Sequence, residues 1–170
     1  MEFTIRAARL EDAEGVVRAH EEASSVMFAE LVGKPLDEVL PFEARLAEYR
    51  RSMEQVSADA QILVAESGGE IVGMAVWRRE ESGEGELSDL HVVPGWWGTG
   101  VAVSLMRAVV DGLQGAGVEH AFLWVGEENA RARRFYEREG WRPDGAARAS
   151  SLGPTEVRYR LRLGDDPPSI

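Results

Sequence analysis

"HVVPGWWGTGVAVSLM", residues His91 to Met106, sets a proline, three glycines and two tryptophans directly ahead of an apolar run. From Val101 that run continues through Ala102, Leu105, Met106, Val109 and Leu113, the spacing of one helix face. The residues before it, EGELSDLHVV, read as a strand that Pro94 stops. Glycines between a strand end and a helix start let several backbone N–H groups point into one small space, and the helix N-terminus adds partial positive charge. Such a turn holds phosphate without a basic side chain, and a side chain at Gly98 or Gly100 would stand in the ligand's way. Two better-known phosphate turns do not fit. Val101 follows Gly100 where a P-loop needs lysine, and Val103 stands where a dinucleotide fingerprint needs its third glycine.

Outward from this turn the chain alternates between two periods. EFTIRAA predicts a first strand, and Leu10, Ala13, Val16 and Val17 open a helix. LDEVLPFEARLAEYRRSMEQV predicts a second helix with Pro41 near its start, and AQILVAES and EIVGMAVWRR form a hairpin across Gly68-Gly69. Beyond the central helix, which ends at Gly115 to Gly117, VEHAFLWV is a strand and ENARARRFYEREG a short helix from near Asn129 to Gly140. WRPDGAARA and TEVRYRLRL close the chain as strands. The order β-α-α-β-β-β-α-β-α-β-β predicts one mixed α/β domain over residues 1–165 and a frayed tail over 166–170.

Composition narrows the function. The 170 residues suffice for one domain with a sizeable core, and 44% hydrophobic with 29% charged residues is ordinary for a globular chain. Without cysteine there is no disulfide, thiolate metal site or cysteine nucleophile. His20, His91 and His120 are scattered, with no metal-ligand spacing, so no metal is expected. A formal charge of −11 argues against a nucleic-acid partner and suits a cationic small molecule, although a negative surface also serves solubility. The N-terminus has no hydrophobic signal core and no run reaches membrane-spanning length, so a cytoplasmic protein without a membrane partner is expected.

The second constellation is NARARRFYEREGW, in which Ala132, Phe135 and Tyr136 make an apolar face and Gly140 a cap. Taken with Leu90, Val92 and Pro94, then Trp97, Gly100 and Ala102, it resembles the GNAT superfamily of acyl-CoA-dependent N-acyltransferases. That family carries L-x-V-x-P, a turn [Q/R]-x-x-G-x-[G/A], and later N-x-x-A-x-x-F-Y-x-x-x-G-[F/W]; here the last is Asn129, Ala132, Phe135, Tyr136, Gly140 and Trp141. The resemblance covers about residues 2 to 163, and implies a mixed, mostly antiparallel sheet of about seven strands, splayed between the fourth and fifth.

The resemblance also implies roles. Backbone at Leu90, His91 and Val92 would bond the pantetheine arm of acetyl-CoA. Amides of Trp97, Gly98, Thr99, Gly100, Val101 and Ala102 would hold the diphosphate. Asn129 and Ala132 would line the pantetheine region, and Arg134, or its neighbour Arg133, would reach the 3′-phosphate; a solvated helix face accounts for both arginines equally well. Trp97 departs from the family's usual Gln or Arg. Tyr136 is the expected general acid and Glu86 the expected general base, with His91 as an alternative. Strand alternation sets Glu86, Ser88, Leu90 and Val92 on one face, and Asp89 and His91 on the other. The acceptor is expected to be a small cationic primary amine, drawn by Glu66, Glu70, Glu80, Glu81, Glu84, Glu86 and Asp89, with Trp77 against its skeleton. Met27, Phe28 and Tyr49 would border it, and are equally plausible as core. Alternatives are a protein Nα- or Lys-acetyltransferase and a non-catalytic CoA-binding sensor. A homodimer is common among similar proteins.

Overall fold

The computed structural model describes residues 1–55 and 57–164, and at Val26 the backbone alone. The tail expected at 166–170 lies outside the described residues. Seven strands form one sheet: β1 (Thr4–Ala7), β2 (Ala60–Ser67), β3 (Glu70–Arg79), β4 (Gly85–Val92), β5 (His120–Gly126), β6 (Arg142–Ala149) and β7 (Thr155–Arg162). Their order is β1-β2-β3-β4-β5-β7-β6. Every neighbouring pair is antiparallel except β4 and β5, which are parallel. Among the described residues five α-helices complete the fold: α1 (Ala13–Val32), α2 (Leu36–Val39), α3 (Phe42–Glu54), α4 (Val101–Gly115) and α5 (Ala130–Arg138).

Two helical expectations change. Leu10 belongs to a separate 3-10 turn, Leu10–Asp12, and is half exposed, so the α1 stripe begins at Ala13 with Val16 and Val17. The second predicted helix is two. A residue before proline is driven out of the helical region, and Leu40 accordingly sits at φ −127°, ψ 82°, with Pro41 capping α3. The Leu40 carbonyl at this break accepts from Nε of the buried Arg45 at 2.8 Å.

The core lies largely between the sheet and α4, whose Val101, Leu105, Met106, Val109 and Leu113 are buried as the periodicity implies. Each such side chain contributes roughly 1.5–3 kcal/mol on burial. Across the sheet, α1 and α3 cover Val64 and Met74. Trp77 points to the α4 side and is 4% exposed, so it packs the core and does not face an acceptor. Its indole needs Gly112 above it: a Cβ there would meet ring atoms at 2.6 Å.

The strand faces also differ from simple alternation. Val76 pairs with Asp89 but Trp77 with Leu87, so Ser88 is an extra residue in β4. One added residue turns every later side chain to the other face. Leu87, Leu90 and Val92 therefore pack toward α4, whereas Glu86 shares the α1 side with Asp89 and His91.

The α4 contact yields a paired prediction. Helix propensity alone favours alanine over glycine by about 1 kcal/mol. At Gly112 the clash with a packed indole outweighs this, and Gly112→Ala should cost about 1–2 kcal/mol. Gly115→Ala, where an added Cβ meets nothing within 4 Å, should be neutral or stabilising. Urea unfolding of both variants checks it, and equal midpoints would refute the contact.

Candidate active site

Strands β4 and β5 pair only at Gly85 with Ala121 and Glu86 with Phe122. Beyond that each keeps its outer partner, β3 or β7, and the two separate. A cleft of about 420 Å³ opens at the split. From β4 it takes Leu90, His91 and Val92; from the following turn, Trp97, Gly98 and Gly100; from α4, Ala102. The opposite wall is Asn129, Ala132 and Tyr136 of the α5 segment, and Ala23 and Met27 of α1 lie at one end.

At the mouth, Gly98 and Gly100 sit at φ 77° and 94°, a left-handed backbone that favours glycine, and a Cβ at either would project into open space. The first bond of α4 runs from Ser104 N–H to Gly100 O at 3.0 Å, leaving the N–H groups of Val101, Ala102 and Val103 ahead of it. Positive amide dipoles thus gather where the glycines leave room, a fit for phosphate oxygens. The expected cradle is narrower than its sequence range. Trp97 N–H donates to Pro94 O at 3.1 Å, and Thr99 is turned inward, its hydroxyl donating to Trp96 O at 2.7 Å. The 3-10 turn Pro94–Trp96 consumes what those residues offer. Trp96 packs edge-on against Phe3, ring centroids 6.2 Å apart.

On the α1 side of β4 the fold assembles a cluster that is dispersed in sequence. Nε2 of His91 lies 3.6 Å from Oδ1 of Asp89, and its Nδ1 3.4 Å from the Ser24 hydroxyl. The His20 ring lies 4.4 Å from the His91 ring, with the Tyr49 hydroxyl 3.5 Å from His20 Nδ1. Among the described residues, His20, Asp89 and His91 are the set of donors close enough to share an ion, all within 4.8 Å. Burial and the charge of His91 push His20 down to about 4, so it is neutral at pH 7. Burial works to raise the Asp89 carboxyl, but the hydrogen bond and charge of His91, aided by His20, outweigh it and hold it below the carboxylate range. Tyr136 is buried, and burial together with the Asp89 charge pushes its phenol up, so the proton stays on at neutral pH.

Residues 26–141 match the acetyltransferase (GNAT) family model. The chain belongs to the GNAT family. A Mycobacterium tuberculosis protein described as an uncharacterised N-acetyltransferase is 37% identical over 102 residues, 60% of this chain and 62% of that relative's length. The match thus spans less than two thirds of the relative. Among solved structures, an N-acetyltransferase from Staphylococcus aureus Mu50 superposes with a TM-score of 0.76 at 16% identity, covering 96% of this chain and 100% of that one. The PaiA N-acetyltransferase from Thermoplasma acidophilum, solved in complex with coenzyme A, gives 0.73 at 18%, covering 95% and 100%. These likenesses speak for the fold, and the mixed seven-stranded sheet parted between β4 and β5 is the GNAT architecture.

Within this GNAT chain most expected residues reach the cleft, and four do not. Val101 is fully buried and offers only its amide; Thr99 closes the turn; Arg134 faces a neighbouring cavity. Glu86 sits at the closed end of the split, with Arg78 bonded to its Oε2 at 2.6 and 3.0 Å. Asn129 caps α5, its Oδ1 accepting from Ala132 N–H at 3.1 Å, which leaves its amide donors for a ligand. Arg133 is committed to the Tyr159 hydroxyl and the Glu127 carbonyl. Met27, expected to border the acceptor, and Phe135 of the second motif also line the cleft; Arg131 and Arg138 line it without having been singled out, because their helical spacing reads equally as a solvated face.

The His20 shift has a consequence for stability. The unfolded chain takes up this proton near pH 6.5, the folded one only near 4. Stability is therefore full above 6.5 and falls as pH drops toward 4, by on the order of 2 kcal/mol. In His20→Gln that share of the acid loss should vanish, as read from urea midpoints between pH 7 and 4. An unchanged pH dependence would sink the assignment.

Proposed function

We propose that this protein moves the acetyl group of acetyl-CoA to the nitrogen of a small, positively charged primary amine. The observation that carries the reading is the cleft between β4 and β5, with glycine-bordered amides at its mouth and Tyr136 on its wall. The open strand edge from Leu90 to Val92 receives the pantetheine arm, and the amides of Gly98, Gly100, Val101 and Ala102 the diphosphate. Asn129 and Ala132 line the arm from the α5 side.

In the reaction, the amine nitrogen bonds to the thioester carbonyl carbon while the carbon–sulfur bond breaks. The amine gives up a proton and the departing thiolate gains one. An alkylamine is mostly protonated at pH 7, so a base must act before attack; general acid–base catalysis is worth roughly 10²–10⁴-fold. His91 lines the cleft with the Asp89 carboxylate beside it, and neutral His20 stacked on it cannot compete as a cation. We assign the base to the His91–Asp89 pair, since Glu86 is tied to Arg78 away from the cleft. Tyr136 keeps its proton at neutral pH and can only donate it, which suits the acid for the thiolate.

Support for a cationic acceptor rests on fewer carboxylates than the sequence displays. Glu66 pairs with Arg6, Glu80 and Glu86 with Arg78, and Glu84 with Arg160. Of the seven, Glu70, Glu81 and Asp89 have no arginine partner among the described residues, and of these Asp89 stands beside the cleft; the overall charge of −11 remains as well.

Acetyl-CoA-dependent thiol release, measured with a panel of amines and peptides, tests the proposal. Tyr136→Phe should lower kcat about 10²-fold with little change in KM for acetyl-CoA. Asp89→Asn should cost more in kcat than Glu86→Gln. Turnover of peptides alone would move the acceptor to protein N-termini or lysines, and binding of CoA without turnover of any amine would make this a sensor.

A further inference from the structure

The lack of metal-ligand spacing among the histidines is a property of the sequence, and the fold overrides it. Helix α1 packs against β4 and sets His20 over Asp89 and His91, which stand two residues apart on one strand face. Each of the three offers a ligand atom, and these atoms lie within 4.8 Å of one another. Two packed elements thus fix the donors in place before any ion arrives.

The geometry and the surroundings fit a metal. Around a tetrahedral ion with ligands at about 2.0–2.1 Å, donor atoms stand about 3.3 Å apart. Nε2 of His91 and Oδ1 of Asp89, 3.6 Å apart, are close to that already, and side-chain rotation closes the rest. Both imidazoles also have an outer partner: the Ser24 hydroxyl lies 3.4 Å from Nδ1 of His91, and the Tyr49 hydroxyl 3.5 Å from Nδ1 of His20. A polar group at the nitrogen that does not bind metal is what fixes the tautomer and orientation of a ligating histidine. Ser24 follows His20 by one turn of α1, so one helix face supplies a ligand and the partner of another. Arg45, whose charge reaches His20, is balanced by Glu21 at 3.6 Å and Asp37 at 3.8 Å. Three protein ligands leave a fourth position, and His91 lines the cleft from which water or a ligand would fill it.

Two imidazoles and one carboxylate suit a borderline divalent ion such as zinc, whereas magnesium and calcium take oxygen ligands. We propose that His20, Asp89 and His91 form a zinc site at the edge of the cleft, and that zinc bound there holds acetyl transfer off. The site stands on its own geometry; the inhibition rests on the acetyl-CoA reading, in which the His91–Asp89 pair accepts the amine's proton. A lone pair engaged by an ion cannot take that proton, and a dication repels an incoming ammonium group. Occupancy and turnover therefore exclude each other. His20, which the reaction does not use, is the residue that turns a base into a metal site.

Calorimetry with zinc chloride on untagged protein should show one ion per chain. His20→Gln and Asp89→Asn should each weaken binding by about 100-fold and Ser24→Ala by about tenfold, while His120→Gln, on an exposed end of β5, should change nothing. Zinc should also raise the urea midpoint of the wild type and leave that of His20→Gln where it is, a readout that includes a check of folding. Saturating zinc should lower wild-type turnover, followed as acetylated amine, by about 100-fold, with recovery on chelation. His20→Gln, compared with its own zinc-free rate, should resist. Zinc that fails to bind, or that binds wild type and His20→Gln alike, overturns the site. Zinc that binds and leaves turnover unchanged or raised overturns the inhibition. A wild type that binds zinc yet acetylates no amine even without it sinks the acetyl-CoA reading, and the inhibition with it, and leaves the site standing.

Discussion

β4 has a sheet partner on both sides for only two residues, and the organisation of this molecule follows from that. Gly85 and Glu86 meet β5, and after them the strand keeps β3 alone. β5 keeps β7 on its other edge along its whole length, from His120 with Arg162 to Gly126 with Glu156, and diverges with it. The extra residue at Ser88 adds local twist just where the strands part. Backbone groups on the two inner edges must then find partners other than each other. Val92 O finds the Trp97 indole, and the remainder face a cleft. The sheet stays one body because both halves are roofed by the same core, α4 over β2 to β4 and Tyr136, Trp141 and Tyr159 beneath β5 and β7.

How much of this was legible in the sequence depends on the range of the interaction. Element order, the α4 stripe and the helix stop at Gly117 are local, carried by periodicity and by glycine, and the structure has them. The family motifs led to most of the cleft. The α2–α3 break was legible in principle, since Pro41 forbids helix at Leu40, but the apolar spacing on either side of it argued for continuity. The bulge had no such signal. Ser88 is an ordinary strand residue, and only its pairing with β3 reveals that it is surplus. That slip placed Glu86 on the face of His91 and the apolar pair Leu90 and Val92 on the other. The His20–Asp89–His91 cluster was hidden for a related reason: Asp89 and His91 share a strand face, but His20, 69 positions before Asp89, has no spacing to read against them.

Charge shows the same gap between composition and place. The acidic excess between Glu66 and Asp89 is real in the sequence, but folding spends much of it on arginines of β1, β3 and β7. Meanwhile α5, in a chain of net charge −11, presents arginines that ion pairing does not neutralise among the described residues. A global count sets the long-range field; the field at a site depends on which charges are cancelled within a few ångströms. One surface can therefore favour a cation on the α1 side of the sheet and an anion beside α5.

The two proton-handling groups of the proposed mechanism are coupled through one carboxylate. Asp89 lies beside His91 and its charge is among the causes that hold the Tyr136 proton on. In that proposal, uptake of the amine's proton by the His91–Asp89 pair would reduce the negative charge felt by Tyr136 and make its phenol easier to ionise as the thiolate departs. In a partly dry cleft such a through-space term is larger than in water.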